Sequence, residues 1–332
     1  MIFQPALLAL ISASLISTLL ILAGALFAFR VLRHWDFSRS DARQIALERQ
    51  TALAGAGVAL AMGLQALSVP VFVFNAERMS VLFTGAMCAT GTLSVNDYGF
   101  PTLLLKLLGF FLAIGWLALD QADRLGRDYP LTRLKYAWLL LAAPVFLAES
   151  ATQLAYFLHL DPAVITSCCG SLFSDTGPAV TNDLAGWPPL PTLVAYFGFL
   201  GAAVAAGLGF LATGRGGLVF SGLVLGHLPL ALATLVATLS LYVYEHPHHH
   251  CPFCLLKSDF DYIGYPLYLL LFAATGHGLA TLLQHGQRHR PSLAAALPAR
   301  ASHHARRALL YLSLYGALSA FLIQRANLNL IE

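Results

Sequence analysis

The segment from Glu245 to Cys254 holds the densest group of potential metal ligands in the sequence. It reads EHPHHHCPFC, and its histidines and cysteines are His246, His248, His249, His250, Cys251 and Cys254. Zinc and copper accept imidazole and thiolate ligands, and thiolate is especially suited to Cu(I). Two cysteines separated by two residues can bind one ion. The segment therefore predicts a site for a soft transition metal, with copper as the first choice and zinc as the second.

The other three cysteines extend this pattern to two further segments. Cys88 stands alone, whereas Cys168 and Cys169 are adjacent. Adjacent cysteines close a strained ring as a disulfide, which favours metal binding or pairing elsewhere. All five cysteines lie in, or at the edge of, three segments that we predict to be outer loops: about residues 76–100, 161–189 and 244–262. The predicted ligand set comprises the five cysteines and the four histidines of the last loop.

A second hypothesis is thiol–disulfide exchange. The run Cys251-Pro252-Phe253-Cys254 resembles the active-site Cys-Pro-x-Cys of thioredoxin-fold oxidoreductases, but no thioredoxin βαβ pattern surrounds these four residues, so the fold does not carry over. In function the chain is similar to membrane proteins of the DsbB and vitamin K epoxide reductase type, helical bundles that relay electrons between outer cysteine pairs and a quinone. The resemblance implies a quinone cofactor or a thioredoxin-like partner, with these redox residues: Cys251, Cys254, Cys168 and Cys169.

A third hypothesis assigns the chain no chemistry of its own. It would then be a structural subunit of a larger membrane complex, with its loops held by disulfides. Five cysteines are an odd number, so at least one thiol would stay reduced or pair between chains. Whether the protein is an enzyme stays open between these hypotheses.

The composition places these loops on a membrane protein. Of 332 residues, 58% are hydrophobic and only 11% are charged, against about 25% charged in soluble domains. This excludes a soluble globular domain, a disordered chain and a coiled coil. The net charge of +3 is too small and too scattered to indicate nucleic-acid binding. We therefore expect the lipid bilayer as the main partner and no nucleic acid.

Eight apolar runs are long enough to cross the hydrocarbon core as helices. They lie near residues 6–29, 52–75, 101–120, 136–160, 190–212, 218–243, 263–283 and 308–324. We predict an all-α integral membrane protein of about eight transmembrane helices, with residues 1–332 forming a single polytopic domain.

The distribution of basic residues predicts the orientation. Of the 19 lysines and arginines, 15 lie in the loops after spans 1, 3, 5 and 7, and only three lie in segments on the opposite side. Basic loops stay in the cytoplasm, so both termini are predicted outside (N-out and C-out) in the inner (plasma) membrane. The cysteine loops then face the periplasmic or extracytoplasmic side, where a metal-binding or thioredoxin-like protein could meet them.

The three outer loops share a sequence pattern. In each, a cysteine is followed by a Gly-aromatic-Pro triplet where the next span begins: Gly99-Phe100-Pro101, Gly186-Trp187-Pro188 and Gly264-Tyr265-Pro266. Proline suits the first turn of a helix, and aromatic rings suit the membrane interface. We predict three degenerate helical-hairpin repeats, made of spans 2–3, 4–5 and 6–7. Packed about one axis, they would bring the three loops together.

Polar residues inside the spans form a second group of candidates. Glu149 lies near the middle of span 4, Lys106 lies inside span 3, and Gln153 shares a helix face with Glu149. Charge in the bilayer is costly unless it is paired, protonated or functional. The group predicts either an ion or proton path (or a quinone head-group site), or interhelical contacts alone. The sequence allows a Lys106–Glu149 contact, although the depths of the two residues do not match ideally.

We expect structural roles for the remaining histidines in the second half of the chain. We expect His227 and His277 to make interhelical hydrogen bonds only. We expect the basic loop after span 7 to anchor the chain at anionic lipid, including its four histidines: His285, His289, His303 and His304.

Overall fold

The computed structural model describes residues 5–36, 41–166 and 183–330. Within these ranges the chain is helical and contains no strand, so the all-α prediction is confirmed. Eight of the described helices are long and apolar enough to cross a membrane, with a mean hydropathy of 1.3 to 2.5 in their most apolar windows. The chain is therefore a multi-pass membrane protein, with the predicted number of spans.

Eight long helices and one short helix make up most of the described chain. In order they are α1 (Pro5–His34), α2 (Ala42–Met79), the short helix α3 (Ala89–Leu93), α4 (Gly99–Asp123), α5 (Thr132–Leu158), α6 (Pro189–Thr213), α7 (Gly217–Tyr244), α8 (Gly264–Gly286) and α9 (Leu297–Arg325). Within α7, residues Leu235–Leu239 form a π-helical turn. The three Gly-aromatic-Pro triplets stand where α4, α6 and α8 begin, which is their predicted place. The threefold repeat itself stays a prediction.

The start of the last helix differs from the prediction. The apolar run begins at residue 308, but α9 begins at Leu297. His303 and His304 are therefore helical and not part of an anchoring loop. Arginine and histidine lower the hydropathy of this stretch without opposing a helix. Its buried face consists of small residues that pack in an apolar cluster: Ala301, Ala305 and Ala308.

The chain folds into two compact units. Unit 1 contains Met1–Asn75, Asn96–Leu160 and Leu283–Arg300. Unit 2 contains Ala76–Val95, Asp161–Leu282 and Ala301–Glu332. The core of unit 1 includes Trp116 and Tyr136, both fully buried.

Unit 2 has a core cluster that includes cysteines. Cys88, Cys251 and Cys254 are packed there with apolar and aromatic side chains of α6, α7, α8 and α9. Cysteine behaves as a small hydrophobic residue when it is buried, and its chemistry is then set by what its sulfur faces. The contacts of these three sulfurs therefore decide their chemistry.

Candidate metal centre

Cys88, Cys251 and Cys254 of unit 2 meet in the folded chain and form what we call the three-cysteine site. Cys88 is the N-cap residue of α3, Cys251 lies in the segment after α7, and Cys254 begins a single 3-10 turn, Cys254–Leu256. Their exposed fractions are 0%, 0% and 4%. The site is therefore buried, although it is built from segments outside the apolar runs.

The separations of the sulfurs match those around a metal ion. All three Sγ atoms lie within 4.8 Å of one another, and those of Cys88 and Cys251 are 3.7 Å apart. Two sulfurs bound to one ion at about 2.3 Å are about 3.8 Å apart in a tetrahedral site and about 4.0 Å apart in a trigonal one. A disulfide needs about 2.05 Å. The three residues are thiols, and their spacing fits the donor set of a soft metal.

Cys88 is positioned by the end of α2. Oε2 of Glu77, in the last turns of α2, accepts a hydrogen bond of 2.7 Å from the backbone N–H of Ala89. The N–H of Gly91 donates to the Cys88 carbonyl at 3.0 Å and closes the first turn of α3. The hydroxyl of Thr90 lies 3.2 Å from Sγ of Cys251, so the same turn also contacts the second sulfur.

The backbone around Cys251 is held by side chains from α7 and α8. The hydroxyl of Tyr244 donates to the Cys251 carbonyl at 2.5 Å, and that of Tyr268 donates to the Pro252 carbonyl at 2.9 Å. Gly264, where α8 begins, allows a close approach, because a Cβ there would lie 2.9 Å from the backbone of Leu255. These contacts fix the segment before any ion binds.

The neighbouring histidines lie outside the group of three ligand atoms. His246 and His248 are exposed, and the ring of His249 packs against Tyr244 with centroids 4.2 Å apart. His250 is buried, and its Nδ1 lies 3.0 Å from the carbonyl of Val236 in the π-helical turn. A carbonyl only accepts, so this nitrogen carries the proton and is not a metal ligand in this arrangement.

The structure thus unites three of the predicted ligands. The prediction that the loops meet is confirmed for the first and the third loop. The middle loop also reaches the first, because the N–H of Thr166 donates to the carbonyl of Thr84 at 2.9 Å. Cys168 and Cys169, which follow in that loop, lie outside the described residues.

Several residues of the site give no recognisable sequence signal. Glu77 is inconspicuous because α2 extends past its apolar run, and Tyr244 and Tyr268 fit equally well as interfacial aromatics. Lys257 adds positive charge near the sulfurs. Its pKa lies above the ordinary value, mainly because Asp259 accepts a hydrogen bond from the ammonium at 3.0 Å, with smaller contributions from the charges of Asp259, Cys254 and Glu77.

Unit 1 contains a different polar group, the Lys106–Glu149 cluster. Nζ of Lys106 lies 2.6 Å from Oε1 of Glu149, with both side chains 1% exposed, so the contact that the sequence allows is present. The amide of Gln65 donates to Oε2 of Glu149 at 3.2 Å, and Lys106 also donates to Ser68 at 3.1 Å. Gln153 instead donates to the carbonyl of Leu10 at 3.2 Å.

Comparisons with known proteins identify no relative of this chain. No family model, curated protein or solved structure matches the chain. The function must therefore be inferred from the three-cysteine site itself.

Proposed function

We propose that the three-cysteine site binds a soft transition-metal ion, Cu(I) first and Zn(II) second. In this proposal the protein handles the ion at a membrane, as a transporter, chaperone or assembly factor. The observation that carries the proposal is the spacing of three buried sulfurs: 3.7 Å between Cys88 and Cys251, and all within 4.8 Å. Cys88 and Cys251 are 163 residues apart in the chain, so the fold has to bring them together.

The donor set favours Cu(I) over Zn(II). Thiolates select soft ions such as Cu(I), and three sulfurs suffice for a trigonal site. Structural zinc sites almost always use four ligands. A fourth sulfur for zinc would have to come from Cys168 or Cys169, which lie outside the described residues. Binding requires the thiols to lose their protons, so it releases protons.

The distribution of lysine and arginine supports an extracytoplasmic position for the site. Under the positive-inside rule, the loops that carry Cys88 and Cys251 lie opposite the basic loops. In this proposal the site meets ions, or a metal-binding protein that carries them, on the outer side of the plasma membrane.

Thiol–disulfide exchange is the competing function. It requires a partner thiol or a quinone to react at a sulfur of the Cys-x-x-Cys. Reactive cysteines are partly exposed, whereas Cys251 and Cys254 are 0% and 4% exposed. This burial is the reason for ranking metal handling first.

The test is the metal content of the protein. The full chain is purified anaerobically in detergent, and copper, zinc and iron are quantified per chain for the native protein and for Cys251→Ser/Cys254→Ser. The matched control is Ser258→Ala, an exposed residue of the same loop. We expect the cysteine variant to contain about one copper or zinc ion per chain fewer than the native protein and the control. Absence of stoichiometric metal from the native protein, also after incubation with Cu(I), would overturn the proposal in favour of a redox relay.

A further inference from the structure

A pair of histidines lies deeper in unit 2 than the three-cysteine site. His277 of α8 and His304 of α9 approach with their Nδ1 atoms 2.9 Å apart, and both are half-buried. The ring of His277 stacks on Tyr311, with centroids 5.7 Å apart and an interplanar angle of 19°. The pair is thus a defined contact between α8 and α9.

The distance from the cysteine loop follows from the geometry of α8. The helix begins at Gly264, where it contacts Leu255 of the cysteine segment. His277 follows 13 residues later, and at 1.5 Å per residue this corresponds to about 20 Å along the axis. An ion that reached the histidines from the three-cysteine site would have crossed much of the hydrocarbon core, which is about 30 Å thick.

The chemistry of the pair suits the same ions as the three-cysteine site. Both zinc and copper accept imidazole as well as thiolate. Two nitrogens bound to one ion at about 2.0–2.1 Å are about 3.3 Å apart in a tetrahedral site and about 4 Å apart in a linear one. An ion would thus have to part the two rings by roughly 0.4 to 1 Å relative to the hydrogen-bonded contact.

Polar rings and hydroxyls line the interval between the two sites. On α9 they follow one another at spacings of seven, four and four residues, which places them on one helix face: His304, Tyr311, Tyr315 and Ser319. The hydroxyl of Tyr196 of α6 donates to Ser319 at 3.1 Å, and its ring lies 6.2 Å from that of Tyr315. At the other end of this interval, the hydroxyl of Tyr268 contacts the cysteine loop.

His227 of α7 stands beside this face. Its ring lies 5.3 Å from that of Tyr196 and 6.0 Å from that of Tyr315. It is 0% exposed, and neither ring nitrogen has a hydrogen-bond partner among the described residues. A buried polar group without a partner is costly, and its retention is explained if a passing ion or water supplies the partner.

We infer that His277 and His304 form a second binding site for the ion of the three-cysteine site, so that unit 2 conducts the ion across the membrane. The inference rests on the proposed function and narrows it from metal handling to transport. It also replaces the interpretation of His277 as a purely structural residue with a functional one.

The first test is binding stoichiometry. The full chain in detergent is saturated anaerobically with Cu(I), freed of unbound ion by gel filtration, and analysed for copper. We expect His277→Gln/His304→Gln to bind about one ion per chain fewer than the native protein while keeping the ion of the three-cysteine site. Glutamine keeps a hydrogen-bonding amide at both positions, and the same substitution at the exposed His289, His289→Gln, serves as the control.

The second test is transport. In proteoliposomes we expect Cu(I) entry with the native protein and with His289→Gln, and loss of entry with the histidine variant although its three-cysteine site still holds copper. Equal stoichiometry and equal entry in the native protein and the histidine variant would overturn the inference and leave the three-cysteine site standing. If no copper binds even to the native protein, the proposed function itself fails.

Discussion

The Lys106–Glu149 cluster and the three-cysteine site are both buried and both join distant parts of the chain, but their members differ. In unit 1 a cation faces a carboxylate at 2.6 Å, and the amide of Gln65 and the hydroxyl of Ser68 complete the set. In unit 2 the group consists of three like donors within 4.8 Å of one another. The first arrangement compensates its own charges. In the second, thiolates would repel one another, and the repulsion is relieved when the sulfurs keep their protons or share a cation.

This contrast gives a criterion that distinguishes structural from functional polar groups inside a membrane protein. Complementary groups stabilise helix contacts without any further component. Like donors held together by the surrounding backbone are, in our proposal, a ligand set for a cation.

The largest effect is expected from removing one partner of the Lys106–Glu149 ion pair. Glu149→Ala leaves the Lys106 cation buried and unpaired, which costs about 3–5 kcal/mol. The double change Lys106→Met/Glu149→Leu removes both charges, and we expect it to recover most of that loss. Thermal unfolding in detergent measures both variants.

The double variant also decides whether the cluster is only structural. On our account, Lys106→Met/Glu149→Leu keeps the Cu(I) binding and Cu(I) entry of the native protein. A well-folded double variant that has lost ion entry would contradict the contrast, because the cluster would then belong to a proton or ion path.

The next effect is stabilisation of unit 2 by its ion. At a free Cu(I) concentration about 100-fold above the dissociation constant, binding should stabilise the native protein by about 2.7 kcal/mol. Cys88→Ser should lose most of this gain, and its metal-free midpoint should stay near that of the metal-free native protein. A Cys88→Ser protein that is equally stabilised by Cu(I) would remove Cys88 from the site.

A smaller effect is expected from removing a hydrogen bond that holds the backbone of the cysteine loop. Tyr268→Phe removes the hydrogen bond to the Pro252 carbonyl, which is worth about 0.5–1.5 kcal/mol. We expect up to roughly tenfold weaker Cu(I) binding with unchanged stoichiometry. Competition with a Cu(I) chelator measures the change. Tyr262→Phe is the matched control, because Tyr262 is 51% exposed.

The smallest effect is expected from replacing the exposed histidines of the loop by alanine. Because His246 and His248 point to solvent and lie outside the group of three sulfurs, His246→Ala/His248→Ala should change neither copper content nor affinity. Elemental analysis beside the native protein checks this. A lost ion would show that the histidine-rich segment reaches the metal after all.

The sequence predicts the span architecture well because hydropathy is read over many residues at once. It also predicts that Cys88 meets the Cys251 loop, because hairpins packed about one axis would bring their loops together. It cannot show which predicted ligands meet, because the clustering of the three sulfurs and the contact of Nδ1 of His250 with the Val236 carbonyl both depend on tertiary packing. It also misses the early start of α9, where His304 becomes helical, because hydropathy measures solvation and not helix propensity.

The most direct test of the three-cysteine site is the X-ray absorption spectrum of the metal in the anaerobically loaded protein. To isolate that site, the His277→Gln/His304→Gln variant is loaded with about one equivalent of Cu(I). Our account predicts a first shell of sulfur only, which changes or disappears in the same variant with Cys251→Ser added. A first shell of nitrogen or oxygen would contradict the assignment of Cys88, Cys251 and Cys254 as the ligands.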